Sequence, residues 1–244
     1  MPASHYFTPP PETLHRLRSV SVITGNQALK RELVFNTDAG VFSRDGLDEG
    51  SRILLAALER YAPLLGRALD LGCGWGAIGI VLASQYPELD VTMSDVNPRA
   101  VVLAAENIRA NDLDESRVRA VESDGLANVG GMFDWIIMNP PIRAGKQTVH
   151  RLILEAGEHL TDTGRLALIW RKQQGAPSAM KWLEERFKYV ERIDRQSGYW
   201  AIVCSRNVKT ASDVASDITT DITSEVTQEV SPGVTPEVSP EVTP

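Results

Sequence analysis

A chain of 244 residues with 43% hydrophobic content can bury one sizeable core, and it contains no apolar run long enough to span a bilayer. Two widely separated cysteines, Cys73 and Cys204, and four histidines without metal-ligand spacing argue against a disulfide framework and against a bound metal. The first twenty residues have no apolar core of a secretory leader, so a reducing cytoplasm is the expected compartment.

The net charge of −7 is unevenly spread. Residues 32–142 hold eight bases and seventeen acids, whereas 143–195 hold eleven bases and seven acids. With Arg16, Arg18, Lys30 and Arg31 near the start, the basic stretches could meet a polyanion, although solvated helix faces have the same composition.

In chain order, SVSVI (19–23) and ELVFN (32–36) predict a β-hairpin. GLDEGSRILLAALERY (46–61) has apolar residues at helical spacing. A strand over 67–72, a helix over about 76–86 and a strand over 90–95 follow. Next comes a helix over about 98–111, with proline in its first turn as helix starts favour. Strands over 118–124 and 133–139, a helix over about 146–160, a strand over 164–171 and a helix over about 178–187 continue the alternation. Two last strands, about 189–195 and 199–205, flank a QSG turn. Strand–helix–strand succession predicts a doubly wound, mostly parallel α/β sheet, with the closing hairpin making the last of seven strands antiparallel. Trp135, Trp170 and Trp200 fall in strands and read as core.

From Asp213 the chain repeats: DVAS DITT DITS EVTQ EVSP GVTP EVSP EVTP. One aliphatic residue in four cannot offset the entropy of ordering, and proline blocks β-ladders, so 207–244 reads as a disordered acidic tail. The expected organisation is an N-terminal arm and capping hairpin over 1–45, a catalytic domain over 46–206 and this tail.

RALDLGCGWGAIGI combines a strand, a glycine-rich turn and a helix start. Gly72, Gly74 and Gly76 let the backbone approach a ligand closely. Gly74 to Gly79 also fits the dinucleotide pattern G-x-G-x-x-G, yet Asp70 would repel a pyrophosphate and suits a cationic ligand instead. Asp95, nineteen residues past Gly76, stands where a carboxylate can accept from ribose hydroxyls, with Val96 beside it. Asp124, followed by Gly125, can accept from an adenine amine. Asn139 closes a strand and is followed by Pro140 and Pro141, which end the ladder and stiffen the turn. Each acid alone also fits a turn or a helix cap; the four sites together all fall at strand C-terminal ends.

Together D-L-G-C-G-W-G-A-I-G, the acid in SDVN, SDG and N-P-P resemble a class I S-adenosylmethionine-dependent methyltransferase over about residues 5–206. GVFSRDGLDEGSRILLAAL and NPPIRAGK are similar to the "small methyltransferase" domain family, which includes ribosomal RNA guanine-N2 methyltransferases. The resemblance implies S-adenosylmethionine as cofactor, held by Asp70, Gly72, Cys73, Gly74, Gly76, Asp95, Val96, Asp124 and Gly125, with Val41–Gly50 over it. Asn139, Pro140 and Pro141 would hold the target amine, and Asn139 would also border the cofactor. The implied substrate is an exocyclic base amine, guanine N2 of ribosomal RNA. A protein glutamine amide asks for the same acceptors, and an inert cofactor- or RNA-binding module is a further alternative. Where many such motifs carry a stacking aromatic after the second proline, this chain has Ile142; Phe42 is a candidate substitute, and Arg143 and Lys146 are candidate RNA contacts. Some relatives carry a second, degenerate domain, for which this chain has no room.

Overall fold

The computed structural model describes residues 18–24, 31–38, 46–61 and 63–206. The expectations for the N-terminal arm, for Phe42 and for the acidic tail lie outside these residues. Strands β1 (Arg18–Thr24) and β2 (Arg31–Thr37) pair antiparallel as a separate two-stranded sheet, the expected hairpin. Helix α1 (Glu49–Tyr61) leads into β3 (Gly66–Leu71), α2 (Ala77–Gln85), β4 (Leu89–Asp95), α3 (Pro98–Ala110) and β5 (Val118–Glu122). Then follow β6 (Phe133–Met138), α4 (Lys146–Glu158), β7 (Leu160–Arg171), α5 (Ala176–Glu184), β8 (Tyr189–Gln196) and β9 (Tyr199–Ser205).

The main sheet has seven strands in the order β5-β4-β3-β6-β7-β9-β8. Neighbours from β5 to β7 are parallel, and β9 runs antiparallel between β7 and β8. Strand residues alternate between two cores, as the period of two requires. Trp135, Ile137, Ala167, Ile169, Ala201 and Val203 pack with α1, α2 and α3. Ile136, Met138, Leu166, Leu168, Ile202 and Cys204 pack with α4 and α5 on the opposite face. Trp135, Trp170 and Trp200 are all buried.

Three of the boundaries that differ from the sequence reading have a clear physical cause. The first helix starts at Glu49 rather than 46, because the Asp48 carboxylate accepts the Gly50 and Ser51 N–H groups at 3.0 and 3.2 Å and caps it. Strand β7 begins at Leu160, immediately after α4 and its cap; Leu160 pairs with Phe133 beyond a register shift, a tertiary pairing without local signal. The last helix starts at Ala176, after Gly175 turns the chain at φ 91°.

The small sheet is fastened through side-chain amides of α3. Asn107 Oδ1 accepts the Asn36 N–H at 2.7 Å and its Nδ2 donates to the Asn36 carbonyl at 3.0 Å; Asn111 repeats this with Val34 at 2.9 and 2.8 Å. The free edge of β2 thus meets two amides one helical turn apart. Phe35, fully buried, packs edge-on against Trp75 with ring centroids 4.9 Å apart. Among the described residues, no helix is long and apolar enough to cross a membrane, and no group of three or more His, Cys, Asp or Glu could hold a metal ion.

Candidate functional site

A cavity of about 700 Å³ opens at the C-terminal ends of β3, β4, β5, β6 and β7. This is where open α/β sheets bind ligands. Its wall includes Gly72, Cys73, Gly74, Asp95, Val96, Asp124, Gly125, Asn139, Pro140, Pro141, Ile142 and Arg143.

The glycine loop joins β3 to α2. Gly72 and Gly74 adopt φ of 77° and 56°, and a side chain on either would point into open space. The loop therefore presents bare backbone to the cavity. It is pinned to the next strand: Gly72 and Cys73 N–H groups donate to the Ser94 carbonyl at 2.8 and 2.9 Å. Gly76, at φ 87°, is instead crowded by Ala104, Ile80 and Met93, so it shapes the turn under the loop.

Asp95 reaches the loop as well. Its Oδ2 accepts the Gly74 N–H at 2.8 Å and its Oδ1 accepts the Asn97 N–H at 2.9 Å. Burial raises its pKa, and these backbone donors pull it back down. Asp70 sits behind the loop, 1% exposed, and is not part of the cavity wall. Its Oδ2 accepts the Gly79 N–H at 2.9 Å. Burial pushes the Asp70 carboxyl up to about 7; the Gly79 donor lowers it, and the nearby Asp95 charge raises it further. A cation in the cavity would favour the ionised form of Asp95 on its wall and of Asp70 behind the loop. Asp124 is the most open of the acids, its side chain 69% exposed, and its Oδ1 accepts from Arg151 at 2.6 Å.

Asn139 follows β6 directly, half-buried on the cavity wall. The Pro140 carbonyl accepts the Ile142 N–H at 2.8 Å, with Pro141 at φ −74° and ψ 73° between them. That is an inverse γ-turn, which occupies one lone pair of the Pro140 oxygen and leaves the other. Arg143 is exposed at the cavity rim. Lys146 lies apart from these groups and borders a second, smaller pocket of about 270 Å³, with Ile142 and Gln174 common to both walls.

Several wall residues were given no individual role by the sequence, although Asp48 falls in the Val41–Gly50 stretch expected over the cofactor. Asp48 and Ser51, at the start of α1, donate nothing to Asn139 but accept from its Nδ2, at 3.2 Å to each Asp48 oxygen and 3.0 Å to Ser51 Oγ. A cap pattern before α1 signals Asp48 as a helix start, not as a neighbour of Asn139. Tyr199 enters from β9, whose first residue pairs with Arg171 at the C-terminal end of β7. An antiparallel last strand starts at the edge where the parallel strands finish, so this aromatic is available to the cavity.

The residues present fit S-adenosylmethionine. The volume lies within the roughly 300–1,000 Å³ of small-molecule sites. The bare loop backbone admits close approach, and the acidic groups around the loop match a sulfonium and an ammonium.

Comparison with known proteins agrees. The family model of the methyltransferase small domain matches residues 32–203. An uncharacterized protein, YbxB of Bacillus subtilis, is 38% identical over 202 residues, covering 82% of this chain and 97% of that protein. Ribosomal RNA small subunit methyltransferase C of Photorhabdus laumondii is 40% identical over 141 residues, covering 56% of this chain and 40% of that protein. Among solved structures, a T. Thermophilus 16S rRNA N2 methyltransferase (RsmC) in complex with AdoMet and guanosine superposes with a TM-score of 0.68 at 26% identity, over 82% of this chain and 52% of that one. The chain thus spans about half or less of the length of these two ribosomal RNA methyltransferases.

Proposed function

The chain belongs to the methyltransferase small domain family, with S-adenosylmethionine as cofactor, and from that premise we propose that it methylates an exocyclic amino group of an RNA base, guanine N2 of ribosomal RNA. The observation that carries this reading is the placement of Asn139 and Pro140 on the wall that also holds the glycine loop and Asp95. S-adenosylmethionine, held against the glycine loop and Asp95, would supply an electrophilic methyl group to the amine nitrogen, its sulfur keeping the S–C electron pair while an amine proton would pass to water.

The chain's own groups do the rest. An exocyclic amine on guanine is a poor nucleophile because its lone pair is delocalised into the ring. Asn139 Oδ1 and the free lone pair of the Pro140 carbonyl accept its two N–H bonds. Both acceptors stand fixed before the reaction, so positive charge developing on nitrogen meets preorganised oxygens. Asp95 orients the cofactor through ribose hydroxyls, and Gly72 and Gly74 give it backbone to lie against, which aligns nucleophile, methyl and sulfur. Asp124, on the same wall, would accept from the adenine amine. With Ile142 after the prolines, Tyr199 is a wall aromatic that can face the base, whereas Trp75, also on the wall, is buried against Phe35.

The test compares nucleosides of ribosomal RNA by mass spectrometry in cells with and without the protein. A methylguanosine present only with the protein is the expected result. Asn139→Ala should slow single-turnover methyl transfer roughly a hundred- to a thousandfold, with cofactor affinity unchanged. A wild-type rate in that variant would falsify the proposed role of the amide.

A further inference from the structure

We propose that Asp48 is a positioning residue for the transfer: with Ser51 it locks the Asn139 amide in the one orientation that turns Oδ1 toward the target amine. The inference rests on the role of Asn139 given above.

An asparagine amide is nearly symmetric in shape, and its two orientations present opposite chemistry. One offers an acceptor to the amine and the other offers a donor, which an amine N–H would repel. The surroundings decide between them here. Both Asp48 oxygens lie 3.2 Å from Asn139 Nδ2, and a carboxylate has no hydrogen to give. Ser51 Oγ lies 3.0 Å from the same nitrogen, and its single hydrogen is committed to Asp48 Oδ2 at 2.5 Å. Every neighbour on this side can only accept, so the NH2 group must face them and Oδ1 must face away. Accepting from Nδ2 also polarises the amide, which makes Oδ1 a stronger acceptor.

Asp48 is itself held. Its Oδ1 takes the Gly50 and Ser51 N–H groups of the first turn of α1, where the helix end favours negative charge. Gly50 has little alternative, since a side chain there would come within 3.1 Å of Asp48 Oδ1 and 3.2 Å of the Tyr199 ring. The line runs from helix end to carboxylate to amide to substrate.

Asp48→Asn isolates the effect. The new amide keeps an oxygen for the helix cap, since asparagine caps as well as aspartate. It places an NH2 against Asn139 Nδ2, and the clash favours the flipped Asn139. With labelled S-adenosylmethionine and an unmodified small-subunit ribosomal RNA transcript, single-turnover methyl transfer should fall about tenfold or more, less than on deleting the Asn139 contact outright. Melting temperature and cofactor Kd should stay near wild type. In an Asn139→Ala background, Asp48→Asn should cost nothing further, because the two act through one atom. An equal loss in both backgrounds would make Asp48 a helix cap alone and overturn the proposal. If Asn139→Ala itself is fully active, the functional reading fails, and a substrate-free measurement still decides the orientation. The Asn139 side-chain NH2 protons should exchange slowly by NMR in the wild-type protein and quickly in Asp48→Asn. Fast exchange in the wild type overturns the inference whatever the substrate is.

Discussion

Asp70 shows how much one buried carboxyl can bias a site it does not line. Held at about 7 by burial, it is mostly protonated in mildly acid solution and ionised in mildly basic solution. A folded-state pKa above the unfolded value of about 3.9 means that the folded protein binds the extra proton. The contribution to stability is therefore present below about pH 4 and is lost as pH rises toward 7. Thermal melts of the cofactor-free protein should show this decline, and Asp70→Asn should remove it while keeping an acceptor for the Gly79 N–H. Cofactor binding should run the opposite way. A cation favours the ionised carboxyl, so affinity should weaken as pH falls below 7, approaching about tenfold per pH unit. Calorimetry in buffers of different ionisation heat should find proton release on binding at pH 6; its absence would mean that Asp70 does not sense the ligand.

At the scale of elements, helix α3 ties the hairpin to the cofactor loop. Asn107 is fully buried, and its Nδ2 donates both to the Asn36 carbonyl in β2 and to the Trp75 carbonyl in the glycine loop, at 3.0 and 2.9 Å. Asn111 also holds β2 but does not reach the loop. Asn107→Ala strands buried backbone groups and should cost about 1–3 kcal/mol, whereas Asn111→Ala, at an exposed bond, should cost about 1 kcal/mol or less. Only Asn107→Ala should also weaken S-adenosylmethionine binding. Chemical denaturation and calorimetry on both variants would check this, and equal cofactor affinity in the two would separate the hairpin from the loop.

For the molecule as a whole, charge is segregated along the chain. The acidic stretch 32–142 contains Asp95 and Asp124 of the cavity wall, and the basic stretch 143–195 begins at the rim of the cavity with Arg143. An RNA strand entering past Ile142 would meet Arg143 and then Lys146. Neutralising both should reduce the slope of log affinity against log salt by about 0.7 per lost contact, with little effect on the chemical step. The tetrad repeat supplies few apolar groups, so removing 210–244 should leave melting temperature and cofactor affinity nearly unchanged and raise RNA affinity at low salt. A drop of many degrees would show that the tail contributes to the folded domain.

The element order was legible in the sequence because its causes are local. Hydrophobic period, Pro98 at a helix start, the glycines of the loop and the paired prolines each act within a few residues. The gathering of Asp95, Asp124 and Asn139 on one cavity wall was legible for the same reason: each stands at or just beyond the end of a strand, and parallel strands carry their ends to one edge. The segment Val41–Gly50 was expected over the cofactor, but the contact of Asp48 with Asn139 and the presence of Tyr199 on the wall were not legible, for Asp48 is 91 residues from the amide it orients. They follow from α1 packing on β7 and β9, and from β9 running antiparallel to β7. The depth of Asp70, and with it the shift of its carboxyl, is likewise a tertiary property: desolvation depends on what packs around a group, and no spacing of residues encodes that. The sequence by itself determined which groups the chain can bring to the strand ends; only the fold decided which of them touch, and so which way the amide of Asn139 faces.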